Sequence, residues 1–304
     1  MLLLLSIHAL RAAIMGDLNQ TSRINDVLYT IHRDIAADLP ARELARVAAF
    51  SEQHFHRVFK KIVGESLHQY IRRTRLEQAA NQLMFDHNRP IIEVATKCGF
   101  SSLSSFSRAF KATFGCTPGA WRRADRPTEH PPYLEDTEIA AGFMRVQARS
   151  LPSPELIHTA PLHVAYVRHQ GYGRSIRQSW QLLQVWAREH HLEFDRQYGL
   201  HHSNPAWVPL ARCRYVACLG IDKPRLRRGP VNSMTIPGGL HAVFDFNGRY
   251  GELLPLIGKI MQDWLPGSGF KMKTTPAVVH YRKNHFLATD ERFELSVQLP
   301  IALV

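Results

Sequence analysis

The sequence predicts two folded parts: an all-α domain with two helix-turn-helix units, followed by an α+β domain built from two repeats around an antiparallel sheet. Three observations support this prediction. The chain has 304 residues, 45% of them hydrophobic, which is enough for two buried cores. A helical phrase in the first half recurs 51 residues later. A strand-rich phrase in the second half recurs 78 residues later.

The predicted domain boundaries follow changes in composition. Residues 1–20 are an uncertain N-terminal extension, and residues 21–125 form the helical domain. Residues 126–142 are rich in Pro, Glu and Thr and are predicted to be a linker, and residues 143–304 form the α+β domain. We expect the linker to lead into a first strand near Phe143–Arg149.

The chain opens with MLLLLSIHALRAAIMG, which resembles a signal peptide only superficially. No basic residue precedes the apolar run, and the run is too short to span a bilayer. Met15 stands just before the first polar segment. Residues 1–14 are therefore either a mis-assigned translation start or a short N-terminal helix, and both alternatives stay open.

The chain is strongly basic. Its formal net charge is +12, and residues 41–123 hold fourteen Lys and Arg against six Asp and Glu. An anionic partner, such as nucleic acid or an acidic membrane surface, is consistent with this excess, but charge alone does not choose between them. The sequence has no Gly-rich phosphate loop and no G-x-S-x-G elbow, so an NTPase or a serine hydrolase finds no support.

The cysteines and histidines indicate neither disulfides nor a metal site. Cys98, Cys116, Cys213 and Cys218 form no C-x-x-C pair and have no zinc spacing with histidines. This usage is typical of a reducing cytosol, so we expect a cytoplasmic protein. The paired histidines at 190–191 and 201–202 lack an H-E-x-x-H pattern. We predict no metal and no cofactor.

The first unit ends in a predicted amphipathic helix, SEQHFHRVFKKIVG at residues 51–64. Its apolar residues fall at i, i+3, i+4, i+7 and i+8, which is one stripe of a helix. Gln53, Arg57 and Lys60 project from the opposite face. Ser51 is placed to cap the start of this helix and Gly64 to end it.

The second unit repeats both faces. Phe106 and Phe110 belong to its inner stripe, and Ser104, Arg108 and Lys111 lie on its outer face. Segments 41–51 and 90–101 each place a short helix and a tight turn before the longer helix. This arrangement lays the second helix of each unit in a DNA major groove.

The side chains on the outer faces of these two helices are of types that recognise DNA. Arg can bind guanine O6 and N7 together, Gln can do the same with adenine, and Lys contacts phosphate. The alternative is that these residues form an ordinary solvated helix face. Because the same phrase occurs in both units, the repetition favours DNA reading.

Residues 66–84 between the units predict a connecting helix with two apolar faces. Leu67, Tyr70 and Ile71 lie on one face, while Leu76 starts a second face that is nearly opposite. Such a helix can pack one end on each unit and fix the spacing of the two recognition helices. One chain could then read two successive major-groove segments about 34 Å apart.

Residues 24–123 resemble the AraC/XylS family of transcription regulators. The resemblance rests on the phrases RVFKKIVGESLHQYIRRTRLEQA, EVATKCGFSS, FSRAFKATFG and TPGAWRR. It implies base-reading positions at Gln53, Arg57, Ser104 and Arg108, flanked by His56 and Ser105. With the lysines expected to meet phosphate, the predicted DNA-contacting residues are Gln53, His56, Arg57, Lys60, Lys61, Ser104, Ser105, Arg108 and Lys111. The second recognition helix has few long side chains, which weakens the expectation of direct readout there.

The second half shows alternating apolar stretches and an internal repeat. His163 matches His241, and the Tyr-Gly pair at 172–173 matches that at 250–251. Each copy predicts a strand, a turn, a helix that ends near Trp186 or Trp264, and a further strand. Two copies side by side would make an antiparallel sheet with helices on one side and a cleft between the halves.

Residues 143–304 resemble the GyrI-like small-molecule-binding domain of Rob-type regulators, through VAYVRHQGYG, CRYVACLGI, IPGGLHAVFDFNGRYGELL and VQLPI. The resemblance implies an aromatic pocket, often with a carboxylate that faces a cationic or amphipathic ligand. Relatives often carry this acid four residues before the final Pro, where this chain has Ser296. Strand alternation puts Glu294 on the same face, so Glu294 could substitute.

The predicted ligand-binding residues are aromatic side chains and one carboxylate: Tyr166, Trp207, Phe244, Phe246, Trp264, Tyr281 and Glu294. For each aromatic residue taken alone, ordinary core packing is the alternative. A cluster around one buried carboxylate would favour a ligand through cation–π attraction.

The sequence therefore predicts a transcription regulator that binds double-stranded promoter DNA and a small-molecule effector. RNA polymerase is a further possible partner, a membrane is not expected, and no enzymatic activity is predicted. Two alternatives remain for the second half. It could act as a small-molecule hydrolase in which Glu294 and a tyrosine do acid-base work, or it could be a passive sequestering module.

Overall fold

The structure is a computed structural model, and it describes residues 19–86, 88–124, 131–223, 231–273 and 275–303. The predicted N-terminal extension and the choice between Met1 and Met15 fall almost wholly outside these residues. The described residues of the first part are helical. The helices are α1 at residues 19–33, α2 Ala41–Val47, α3 Glu52–Val63, α4 Leu67–Phe85, α5 Ile91–Lys97, α6 Leu103–Phe114 and α7 Pro118–Arg123.

The first helix-turn-helix unit has the predicted capping, and the second unit repeats it. The Ser51 side chain accepts a hydrogen bond from the His54 backbone N–H at the start of α3, and Ser102 accepts one from Ser105 at the start of α6. Each helix ends at a glycine with positive φ, +83° at Gly64 and +79° at Gly115. These caps confirm the start and end signals in the sequence.

Helix α4 contacts both units as the sequence predicted. Leu67 and Tyr70, near its start, belong to the core of the first unit together with Phe55 and Phe59. Leu76 and later apolar residues pack instead in the core that contains Phe106, Phe110 and Trp121 of the second unit. The change of face along one helix therefore links two separate cores.

The segment before the sheet corrects a prediction. No strand forms at Phe143–Arg149, because α8 runs from Thr137–Gln147. Asp136 caps this helix through two backbone N–H groups, and the buried residues Ile139, Gly142 and Val146 follow helical rather than strand spacing. The second half of the predicted linker is thus helical, while residues 126–130 lie outside the described part of the chain.

The second part of the chain forms a sheet with helices packed on one face. The strands are β1 Glu155–Thr159, β2 Leu162–Gln170, β3 Gln197–His201, β4 Arg214–Gly220, β5 Asn232–Ile236, β6 Gly239–Arg249, β7 Phe270–Met272, β8 Ala277–Lys283 and β9 Arg292–Leu303. The helices are α9 Ile176–Glu189 and α10 Leu253–Lys259, which continues through a π-turn at Ile260–Trp264.

The sheet confirms the predicted repeat. Its order is β1-β6-β9-β8-β3-β4-β2-β5, with β7 added on β9, and every pairing is antiparallel. The repeated units β2-α9-β3-β4 and β6-α10-β8-β9 are therefore arranged symmetrically about the β3–β8 pair. Both helices cover the same face of the sheet, where Tyr215 and Phe293 occupy matching positions.

The two parts of the chain share one core. The hydrophobic cluster that holds Phe106 and Trp121 also holds Trp180, Tyr215 and Phe244. At the boundary the rings of Trp121 and Trp207 meet edge to face with centroids 5.4 Å apart. The exact domain boundaries stay a prediction, since the packing is continuous across them.

Candidate nucleic-acid interface and ligand sites

The predicted DNA-contacting residues lie on matching faces of α3 and α6. Most of them are exposed, whereas His56 and Ser105 are half-buried. Arg57 and Arg108 each occupy the sixth position of a twelve-residue helix. Within the described residues, neither arginine forms a side-chain ion pair or hydrogen bond. The exposed residues are Gln53, Arg57, Lys60, Lys61, Ser104, Arg108 and Lys111.

The inner faces of both helices are fixed by buried side chains. Phe55 and Phe59 in α3 are fully buried, and so are Phe106 and Phe110 in α6. Their rings meet edge to face at 5.6 Å and 5.5 Å respectively. Because these rings hold the helices by one side, the opposite side of each helix faces away from the core.

One arginine of α4 joins both units, which sequence patterns did not reveal. The Arg75 side chain donates hydrogen bonds to the carbonyl oxygens of Ile35, Ala37 and Gly99, each at 2.9 Å. Gly99 has a φ of +79°, and a Cβ there would lie 2.6 Å from the Arg75 Cζ atom. A glycine in the turn thus permits the close approach of the guanidinium.

An acidic residue of α4 ties the helical part to the sheet. The Glu77 carboxylate accepts hydrogen bonds from Arg73 at 2.6 Å and from Arg214 of β4 at 2.7 Å. Arg214 also donates to the Thr74 hydroxyl at 2.6 Å. Glu77 is 7% exposed and Arg214 is 14% exposed, so this is a largely buried ion pair between the two parts.

The predicted ligand-binding residues are not gathered around one pocket. Phe244, Phe246 and Tyr281 lie in the core beneath α9 and α10, whereas Tyr166 lies on the opposite face of the sheet. Trp264 is half-buried against Phe244, with centroids 5.2 Å apart. Trp207 packs at the boundary with the helical part, and Glu294 is exposed opposite Asn247.

A different carboxylate stands beside Ser296. Asp245 lies opposite Ser296 in the β6–β9 register, and the Ser296 hydroxyl donates to Asp245 Oδ1 at 2.7 Å. Arg282 donates to the same Asp245 oxygen at 3.0 Å and to the Ser296 hydroxyl at 2.8 Å. The hydrogen bond from Ser296 lowers the pKa of Asp245, and Arg282 adds to this effect. In the sequence HAVFDFNG, Asp245 stands between Phe244 and Phe246, so strand alternation could have placed its side chain on the face opposite these two rings.

The face of the sheet that carries Asp245 also presents aromatic rings. Tyr198 and His280 stack with centroids 4.6 Å apart and planes 16° from parallel. The Arg168 guanidinium lies over the Tyr166 ring at 5.2 Å. By register, Tyr198 pairs with His280, and His280 pairs with Ser296, so these groups form a row across the sheet.

Cavities of different size open among the described residues. A small one of about 30 Å³ lies between the matched turns of the repeats, lined by Tyr172, Tyr250 and the buried histidines His201 and His285. A larger one of about 620 Å³ lies between α4 and the second part of the chain. We call this larger space the interdomain cavity.

Metal ligands and membrane segments were searched over the described ranges. Within them, no three His, Cys, Asp or Glu side chains are placed to hold a metal ion. The four cysteines are free thiols. None of the helices there combines the length and the apolar character needed to cross a bilayer.

Comparison with known proteins relates the two parts to two families. Residues 44–124 match a helix-turn-helix domain, and residues 152–302 match a GyrI-like small molecule binding domain. The crystal structure of the AdpA DNA-binding domain with target DNA covers 33% of this chain and 89% of that chain, at 26% identity and a TM-score of 0.32.

Named relatives match about a third of the chain. The transcriptional activator AarP of Providencia stuartii is 37% identical over 106 residues, which are 35% of this chain and 78% of AarP. The transcriptional regulator Rob of Salmonella typhimurium is 34% identical over 107 residues, or 35% of this chain and 37% of Rob. The matched segment thus spans most of AarP but well under half of Rob. The chain belongs to the AraC-type family of helix-turn-helix transcription regulators, and it carries a GyrI-like small-molecule-binding domain after its DNA-binding region.

Proposed function

We propose that the chain is a sequence-specific regulator that reads two successive major-groove segments with α3 and α6. The observation that carries this proposal is the matched pair Arg57 and Arg108. Both are exposed and hold the same position in two equivalent helices, and the connecting helix α4 packs against both units. An arginine presented in this way can bind both acceptors of a guanine edge. Lys60 and Lys111, one turn further along, are placed for phosphate contacts.

The test is selection from randomised duplex DNA at near-physiological salt, with the bound fraction sequenced. A regulator of this kind should enrich one bipartite motif whose halves are about one helical turn apart. Binding that falls steeply with salt and enriches no sequence would contradict the proposal, because a merely basic surface behaves in this way.

The C-terminal part is proposed to bind a small amphipathic or cationic molecule and so to modulate transcription. Asp245 supports an acidic ligand-facing group near Ser296, because its side chain is 70% exposed and it lies in the same row across the sheet as Ser296, His280 and Tyr198. Glu294 remains a second candidate. An effector changes the balance between two states only if it binds them with different affinities, so its effect should appear as a change in operator affinity or in transcription. If a panel of ligands binds the chain but changes neither quantity, this part of the proposal is wrong.

The chain is proposed to act in the cytoplasm and without catalytic turnover, with RNA polymerase as a possible partner on the promoter. Free thiols agree with a reducing compartment. The similar proteins named above are regulators or activators of transcription. An acid-base pair of Glu294 with Tyr281 is not supported, because their side chains lie on opposite faces of the sheet. Recovery of a bound ligand unchanged after long incubation is the measurement that tests for turnover.

A further inference from the structure

The interdomain cavity has the dimensions of a ligand site. Its volume of about 620 Å³ falls within the range typical of small-molecule pockets, roughly 300–1,000 Å³. One wall is α4, which contributes Thr74, Gln78, Asn81 and Phe85. The other wall comes from the sheet and from α10 and its continuation. A molecule in this cavity would touch both parts of the chain.

The carboxylates in the cavity wall already have partners. Three of them line it: Asp34, Glu77 and Asp86. Glu77 is bound by two arginines, and Asp86 pairs with Arg89 at 2.8 Å. Asp34 accepts hydrogen bonds from the backbone N–H groups at residues 36 and 37. Among the described residues, Asp34 is the one of these three carboxylates without an ion-pair partner, and it is exposed, so the wall offers little unbalanced negative charge to attract a cation.

The lysines in the same wall have no such partners. Lys97, Lys271 and Lys273 line the cavity, and none of them forms an ion pair within the described ranges. Lys271 is half-buried, whereas Lys97 and Lys273 are exposed and lie where the cavity meets solvent. For a half-buried, unpaired positive charge such as Lys271, the attraction of an anion is stronger than it is in bulk water. The charge balance of the cavity therefore favours an anionic occupant.

Unpaired polar atoms also face the cavity. His201 is 9% exposed, and neither of its ring nitrogens has a hydrogen-bond partner among the described residues; the same holds for Nε2 of His202. Burial lowers the pKa of His201 to about 3, so its ring is neutral near pH 7 and offers one donor and one acceptor. A buried polar group without a partner is costly. A ligand with a hydroxyl or carbonyl oxygen would supply one.

The remaining wall is apolar. Phe85 of α4 faces the cavity together with Ile257, Met261 and Met272 from the other part of the chain. Such a surface suits a hydrocarbon or ring system, and methionines adapt to irregular shapes. The cavity thus combines an apolar wall, neutral polar atoms and unpaired lysines.

We propose that the interdomain cavity binds an amphipathic organic anion, with its acidic group toward the lysines and its apolar body against Phe85, Ile257 and Met261. This site goes beyond the proposed function, because it lies outside the sheet face that carries Asp245 and prefers the opposite charge. It also touches the helix that holds both recognition units. Binding there would stabilise one arrangement of the two parts, and DNA binding would in turn change anion affinity by the same factor.

The test uses two fluorescent probes with the same rings. 1-Anilinonaphthalene-8-sulfonate carries a negative charge, and N-phenyl-1-naphthylamine is its neutral counterpart. Each is titrated into the full chain, the double variant Lys271→Gln/Lys273→Gln, and the control Lys223→Gln, which changes an exposed lysine outside the cavity. A third variant, Gln78→Trp, fills the cavity from α4 at a half-buried residue for which no hydrogen bond is recorded.

The proposal predicts saturable binding of the sulfonate. The lysine double variant should weaken it about tenfold or more, leave the neutral probe unchanged, and differ from Lys223→Gln. Gln78→Trp should weaken both probes, while circular dichroism shows that it remains folded. Sulfonate affinity that is unchanged in the lysine variant, or that is unchanged by Gln78→Trp, would overturn the proposal, as would no saturable binding. Each of these outcomes is independent of whether the chain selects a DNA motif, so failure here and failure of the proposed function are distinguishable.

Discussion

The guanidinium of Arg75 donates a hydrogen bond to the carbonyl oxygen of Gly99 at 2.9 Å, so a side chain of α4 holds the turn of the second helix-turn-helix unit. The same side chain holds Ile35 and Ala37 beside the first unit. Backbone carbonyls from both units thus converge on one planar group. Only arginine has the number and spread of donors to satisfy three such acceptors at once.

The variant Arg75→Lys should therefore destabilise the chain although it keeps the charge. Lysine cannot reach all three carbonyls, and the loss of charge-assisted hydrogen bonds should lower the free energy of unfolding by about 2 kcal/mol. Urea denaturation measures this change. The control is Arg72→Lys, at an exposed neighbouring position on the same helix. Equal unfolding midpoints for the two variants would contradict the role given to Arg75.

The variant Glu77→Gln tests the buried link between the two parts. Among the described residues, Glu77 is the carboxylate that accepts hydrogen bonds from both Arg73 and Arg214. Its removal leaves the buried positive charge of Arg214 uncompensated. Removing one partner of a buried ion pair typically costs about 3 kcal/mol or more. The exposed pair of Glu43 with Arg46 provides the control, since Glu43→Gln should cost at most about 1 kcal/mol. Similar losses for both variants would argue against a buried link.

Gly142 marks a close contact between α8 and the turn before α10. A Cβ at Gly142 would lie 2.1 Å from the carbonyl oxygen of Gly251, which is backbone and has little room to move. Gly142→Ala should therefore lower the free energy of unfolding by about 2 kcal/mol or more. At Gly258 in α10 a Cβ meets nothing within 4 Å, so Gly258→Ala should instead add about 0.5 kcal/mol. Thermal melts of the two variants that shift in the same direction would refute this contrast.

The buried histidines should make the folded chain sensitive to acid. Burial lowers the pKa of His201 and His285 to about 3, and burial also lowers the pKa of His32 and His202. In the unfolded chain a histidine takes up its proton near pH 6.5, so the unfolded state binds more protons below that pH. Stability is fully present above pH 6.5 and is lost as the pH falls toward 3.

Each such histidine should contribute up to about 1.4 kcal/mol per pH unit to this loss. His285→Phe removes one of them within a cluster of aromatic rings. Urea unfolding between pH 6 and 4.5 should then show a shallower dependence on pH than in the parent chain. An unaltered slope for His285→Phe would mean that this histidine is already charged in the folded state.

Local patterns predicted the helical part well, but they did not predict that the aromatic residues of the second part lie on different faces of the sheet, and the reason is physical. The stripe of Phe55 and Phe59, the cap at Ser51 and the glycine at Gly64 act within one helix, so the sequence carries them directly. Strand alternation likewise places Phe244 and Phe246 on one face. Alternation does not say whether Tyr166, five strands away in the sheet, shares that face, because the pairing register decides it.

The interdomain cavity could not be predicted from any single segment of the sequence. Its walls come from α4 and from distant strands and loops, and they meet through contacts such as Arg214 with Glu77. The helix α8 was missed for a smaller reason. The sequence predicts a strand at residues 143–149, although Asp136 provides a capping signal and Ile139 and Val146 have helical spacing.

The two recognition helices should contribute separately to DNA sequence preference. In α3 and α6, Arg57 and Arg108 hold equivalent positions, but Gln53 of α3 is matched by Ser104 of α6, which has a shorter reach. Arg57→Ala should therefore relax one base position of the selected motif, with a cost of about 1–3 kcal/mol for the preferred base. Arg108→Ala should relax a position about one helical turn away, with a smaller overall effect because fewer long side chains support it.

The matched control is Arg188→Ala, an exposed arginine on α9 far from both recognition helices in sequence. Selection from randomised duplex, repeated with all three variants, measures the preference at each base position. A phosphate contact would weaken binding to all sequences alike and reduce its salt dependence. A base contact changes one column of the motif and leaves the salt dependence nearly constant. If Arg57→Ala and Arg108→Ala altered the same column, the two helices could not occupy successive grooves, and the two-segment reading of DNA would be wrong.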